Sequence, residues 1–178
     1  GANNQNFSCN LGSLGATTIA ANGANMYMGL QLINNTAFTL NRFTLTFDGE
    51  QWRDGQDVAG ETLAFDFSLI ATEADWNTLT TPLFTAVPTL NFTSPVVSGT
   101  NSSGTVVDGN TVGRVADITA TVTNFSWAPG AELWLRWGDP QLASLADDGL
   151  AIDNVRFTAD DLGTGSNIDI VSVQTGNS

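Results

Sequence analysis

Short runs in which apolar residues alternate with others recur along the whole chain, and this pattern limits its folds more than any other feature. Within residues 131–139, Leu133, Leu135 and Trp137 alternate with Glu132, Trp134 and Arg136. Within residues 147–157, Ala151, Asp153, Val155 and Phe157 fall on one face, opposite Ile152, Asn154 and Arg156. A period of two sends successive side chains to opposite faces of a strand. The pattern therefore predicts two strands, joined by an acidic loop over residues 138–149 with a glycine at each end. On this reading Asp153 shares a face with Val155 and Phe157, which makes it an inward carboxylate.

The same alternation continues upstream. Met26, Met28, Leu30 and Leu32 form one stripe; Phe43, Leu45 and Phe47 form another, opposite Arg42, Thr44 and Thr46. Leu63, Phe65, Phe67 and Leu69 make a third, and Ile118, Ala120 and Val122 alternate with Asp117, Thr119 and Thr121. Residues 48–55 hold two Asp-Gly steps around Trp52 and Arg53 and are expected to interrupt the strand before them. Pro88 and Pro95 bracket a short or edge strand. Residues 73–78 suggest one helical turn, residues 98–110 a surface loop and residues 168–173 a final short strand. Many short strands with almost no helix predict an all-β protein: one antiparallel β-sandwich, read as a jelly roll, over residues 25–178. Residues 1–24, small and polar, are expected to be an N-terminal arm or an edge strand.

Composition narrows function by exclusion. The 178 residues include five Arg, no Lys and no His against eighteen Asp plus Glu, a net charge of −13. That field repels phosphate backbones, so no nucleic-acid partner is expected. Without His or Lys there is no Ser-His-Asp triad, no His-bound zinc and no lysine Schiff base. Paired carboxylates could hydrolyse a glycoside, but the Glu-x-Asp-x-x-Glu cluster of sandwich glycosidases is missing, and Asp66 and Asp117 read as lone acids on polar faces. A non-enzyme is expected. Cys9, a single cysteine, forms no internal disulfide. No run approaches the ~20 apolar residues of a membrane-spanning helix, so no membrane insertion is expected. Richness in Asn, Thr, Ser and Gly suits an extracellular or cell-surface setting.

Three motifs carry a resemblance: residues 48–53 (Asp-Gly-Glu-Gln-Trp-Arg), 133–137 (Leu-Trp-Leu-Arg-Trp) and 148–155 (Asp-Gly-Leu-Ala-Ile-Asp-Asn-Val). Together they resemble a bacterial secreted or surface jelly-roll domain, over about residues 26–158. The last motif is also similar to the final core strand of MAM-type and laminin-G-like sandwiches. That resemblance implies a structural calcium held in part by Asp153. The chain departs from those relatives in having no acidic residue before Asp48. A first-strand ligand would have to be Asn22, Asn25 or a backbone carbonyl.

Three readings of the polar residues follow. Calcium takes six to eight oxygens, and Asp139, Asp147, Asp148, Asp153 and Asn154 are the candidate ligands; the alternative pairs Asp153 with Arg136 or Arg53. Trp52 and Trp76, with Glu50, Gln51 and Arg53, could form an aromatic platform for polysaccharide, whereas Trp137 belongs to the core. Third, copies of the chain could join by adding a strand to one another's sheet edges. The expected function is a self-assembling structural subunit of a surface fibre, sheath or matrix, reinforced by calcium; the alternative is a carbohydrate-binding module.

Overall fold

The computed structural model describes residues 26–55, 60–72, 83–98, 104–139 and 148–161. The strands are β1 (Met26–Ile33), β2 (Leu40–Asp54), β3 (Thr62–Ser68), β4 (Thr85–Ala86), β5 (Phe92–Thr93), β6 (Thr105–Val106), β7 (Arg114–Trp127), β8 (Glu132–Asp139) and β9 (Gly149–Asp160). Among the described residues the one helical element is a 3-10 turn at Pro88–Leu90. The N-terminal arm, the helical turn at 73–78 and the strand at 168–173 lie outside the described residues.

All pairings are antiparallel and form two sheets. Sheet one runs β1-β8-β3, with β4 and β5 sharing the far edge of β3. In sheet two β2 is central, with β9 on one side and β7 and β6 on the other. The all-β sandwich is as expected. The finer jelly-roll order is not completed by the described strands.

Inward faces meet as the alternation requires. Phe43, Leu45 and Phe47 of β2 are fully buried against Leu63, Phe65 and Phe67 of β3 and Leu133, Leu135 and Trp137 of β8. Edge-on ring pairs bridge the sheets, with centroids 5.4 Å apart for both Phe47–Trp137 and Phe43–Phe67. Each such pair adds about 0.5–1.5 kcal/mol to the burial of its rings. The proline-bracketed segment is an edge strand broken by the 3-10 turn. There the Asn91 side-chain carbonyl accepts the Phe65 N–H at 2.9 Å, standing in for the missing ladder partner.

Three expectations need correction. Residues 48–55 do not interrupt β2, which continues to Asp54. Gly49 is needed there because a Cβ would lie 2.2 Å from the Phe92 ring. Secondly, the partner of Arg136 is not Asp153. Trp134 and Arg136 are each 6% exposed, and the Arg136 guanidinium lies 3.6 Å over the Phe84 ring and 4.5 Å over Tyr27. Its fork is bidentate to Asp66, at 2.8 and 2.7 Å. Arg136 therefore neutralises Asp66 and not Asp153, and Asp66 is no lone acid. Asp117 is not one either, since it accepts Arg156 at 2.6 Å.

The third correction concerns β9. Thr46 pairs with Arg156, but Asp48 pairs with Asp153, so β9 holds one extra residue between them. This bulge reverses the phase of the strand. Leu150 and Ile152 are inward, opposite Gln51 and Gly49, while Asp153 stands with Asp48 on the outer face of sheet two.

Candidate functional site

The chemistry-bearing residues gather on that outer face, around a residue the alternation did not single out. Asp48 is 2% exposed and sits in the middle of β2 between two bulged neighbours. On the β7 side, Phe47 pairs with Ile118 and Gly49 with Val115, which again leaves one extra residue. Each bulge contains a non-glycine residue in the left-handed region, Asp117 at φ 53° and Asn154 at φ 52°. Such residues cost about 1–2 kcal/mol of backbone energy, least for Asn and Asp. Asp48 holds both in place. Its Oδ1 accepts the Asp117 backbone N–H at 2.7 Å, and its Oδ2 accepts the Asn154 side-chain amide at 2.7 Å. Arg114 adds Nη2 at 2.6 Å and Nε at 3.2 Å. Burial pushes the Asp48 carboxyl up, but the Asp117 N–H, the Asn154 amide and the Arg114 guanidinium outweigh it and hold the group below its usual range.

Two residues along β2, Glu50 is buried and accepts the Trp52 indole N–H at 2.9 Å. Burial is the main reason its carboxyl is pushed up, and the charges of Asp153 and Asp48 add to the shift against the Trp52 bond and Arg114. Trp52 lies in β2 rather than in a loop, and the residue is 37% exposed. It packs on Gly109, where a Cβ would come within 2.5 Å of the indole. Arg53 packs in the same way on Gly104. Trp52, Glu50 and Arg53 are thus brought together on one strand. Trp76 lies outside the described residues.

The remaining candidates are separated. Gln51 points inward, its amide bonded to Val96 through both ends at 2.8 and 2.9 Å and to Asp148 at 3.2 Å. Asp148 also accepts the Gly55 N–H at 2.6 Å, and its own N–H donates to Glu61 at 2.7 Å. This buried network joins the starts of β9 and β3 to the end of β2. Asp153 is five residues along β9 from Asp148, about 16 Å away at ~3.3 Å per residue. Asp139 ends β8 in the other sheet, paired with Met26. Asp147 lies outside the described residues. No group of three or more Asp, Glu, Cys or His is placed to hold a metal among the described residues. Asp153 and Asn154 do stand together, but the carboxylate opposite them on β2, Asp48, is already filled by Arg114, the Asp117 N–H and the Asn154 amide. That set does not offer a calcium ion its six to eight oxygens.

As a chemical device this face has one half-exposed indole with its N–H fixed, beside a carboxylate raised in pKa. The Asp48 hub was missed because Asp48-Gly49 reads as a turn that interrupts the strand. The available signal was Asn and Asp inside strands, at 117 and 154, where they mark bulges. No protein-family model, curated protein or solved structure matches this chain. Among the described residues no helix is long and apolar enough to cross a membrane.

Proposed function

We propose that this chain is a non-catalytic extracellular β-sandwich that serves as a structural subunit, assembling with copies of itself in a surface fibre, sheath or matrix. The observation that carries this reading is the β7 edge. β7 runs for 14 residues with β2 as its long ladder partner among the described residues. Its stretch Thr-Ala-Thr-Val-Thr-Asn, residues 119–124, has no charge and no proline. Unpaired edge N–H and C=O groups are a template for another strand, and lysine, the residue that commonly blunts such edges, is absent from the chain. The polar residues of the three motifs favour the same reading, because Asp48, Gln51 and Asp148 are engaged in internal bonds. Sedimentation velocity and light scattering over a concentration series test it, with calcium and then with chelator. The expected mass exceeds the 18.7 kDa monomer and grows with concentration, indifferent to chelator. A strict monomer at every concentration refutes assembly.

Trp52 favours a second reading, a carbohydrate-binding module. A ring held by Glu50 and Gly109 with part of its surface open suits stacking on a sugar face. Glycan-array binding lost in Trp52→Ala would support it, and an array with no bound glycan would remove it.

A further inference from the structure

Along one side of the sandwich, a groove of about 560 Å³ runs between the β3–β4 edge of sheet one and β7 of sheet two. Phe67, Leu69, Val122 and Phe125 line it, with Ile70, 69% exposed, and Thr123 among the residues around it. β7 is irregular here: Leu40 pairs with Trp127 but Arg42 with Thr123, which leaves two extra residues on β7. Asn124, at φ 68°, lies in this bulge. Phe125 packs on the rings of Phe43 and Phe67, at 5.4 and 6.0 Å, as it lines the groove. An apolar slot beside a strand edge suits an extended segment, whose backbone bonds to the edge while alternate side chains fill the slot.

The chain supplies a segment of that chemistry. After β9 come residues 162–167 (Leu-Gly-Thr-Gly-Ser-Asn) and then residues 168–173 (Ile-Asp-Ile-Val-Ser-Val), the latter rich in β-branched residues and free of Gly and Pro. Charge points to the same place. Every residue lining the groove is uncharged, and the hexamer carries one charge, at Asp169. Between copies that each bear −13, an uncharged surface of this kind lets two chains approach with little local repulsion. Position then selects the copy. β9 ends at Asp160 opposite Arg42, level with Thr123 but on the other edge of sheet two. The segment therefore follows a strand that lies on the edge of sheet two away from its own groove.

We propose that residues 168–173 of one copy add to β7 in the groove of the next. Segment and groove are different surfaces, so the contact is head-to-tail, and it propagates as a filament where its rotation does not close into a ring. This inference rests on the assembly reading and names its joint.

Two variants test it by mixing. Ile70→Lys with Thr123→Lys blocks the groove from exposed positions, and Ile170→Asp blocks the segment; circular dichroism verifies that each is folded. Each alone is expected at the 18.7 kDa monomer mass, and an equimolar mixture should form heterodimers, since one unblocked segment then meets one unblocked groove. If both variants assemble like the parent, the joint lies elsewhere and only this inference fails. Assembly retained by Ile170→Asp but lost in the groove variant would mean that β7 edges pair with each other, which overturns it, as would a mixture that stays monomeric. A monomeric parent chain removes the assembly reading itself. Should the double variant not fold, Ile70→Lys takes its place, and a synthetic peptide of residues 162–174 must dissolve parent assemblies or the proposal fails.

Discussion

Asp48→Ala removes the acceptor that serves both bulges of sheet two, and its cost can be worked from the bonds it breaks. Arg114 contributes little, because its side chain is 39% exposed and water replaces the carboxylate. The Asp117 N–H loses a charged acceptor, worth about 1.5–3 kcal/mol, and the Asn154 amide a further ~1 kcal/mol. The sum is about 3 kcal/mol, a large part of the ~5–15 kcal/mol that typically holds a domain. At 2–4 °C per kcal/mol the melting temperature should fall by roughly 6–12 °C. Asp48→Asn keeps one oxygen but turns an NH2 toward Arg114 or Asn154, and should lose about 2 kcal/mol. Urea unfolding followed by tryptophan fluorescence measures the loss, and amide exchange locates it, with Asp117 accelerated ahead of the core strands. Asp153→Asn, on the same face but outside the hub, should stay within ~0.5 kcal/mol. An Asp48→Ala variant within ~0.5 kcal/mol of the parent would refute the hub.

Glu50→Gln should raise the melting temperature at pH 7. The fold raises the Glu50 pKa, so its contribution is complete below the unfolded value of about 4.3 and is lost as pH rises through the folded one. The gain should vanish in scans at pH 4. Asp48 has the opposite sign: its depressed pKa gives stability that is complete above about pH 3.9 and lost as pH falls through its folded value, so Asp48→Asn should cost less in strong acid. Gly49→Ala must displace the Phe92 ring, and overpacking of this kind costs about 1–3 kcal/mol in urea titrations. Arg136→Lys cannot reproduce the fork on Asp66 or the stacking on Phe84 and Tyr27, and should lose about 2 kcal/mol.

The strands were legible because their burial alternates, and alternation is local. Phe43, Leu45 and Phe47 announce β2 without reference to any other segment. What was not legible depended on contacts distant in sequence. Asp48-Gly49 has the composition of a turn, but it pairs with β7 and β9, and the glycine is there because of the ring of Phe92 on β5. Arg136 could be assigned a carboxylate but not the right one, since Asp66 is set opposite it by the β3–β8 register. The inward placement of Asp153 failed for a related reason. A period of two carried through residues 151–157 assumes no bulge, and the bulge forms around Asp48, more than a hundred residues upstream. Of the candidate site residues, Trp52, Glu50 and Arg53 share one strand where an interruption was expected, whereas Asp148 and Gln51 are drawn into a buried network.

The two functional readings occupy opposite ends of sheet two and can therefore be separated. Trp52 lies near the end of β2, beside Gly109, whereas the groove lies level with Arg42, ten residues back and about 33 Å away at ~3.3 Å per residue. The Asp48 hub sits between them and locks the three strands of the sheet at its middle. A rigid sheet of this kind can present an edge at one end without disturbing an aromatic at the other, since neither surface uses a residue of the hub. Trp52→Ala should then leave assembly untouched, and the groove variant should leave any glycan binding untouched. If either substitution changed both behaviours, the two surfaces would have to be coupled through β2. Such coupling should disappear when Asp48 is replaced.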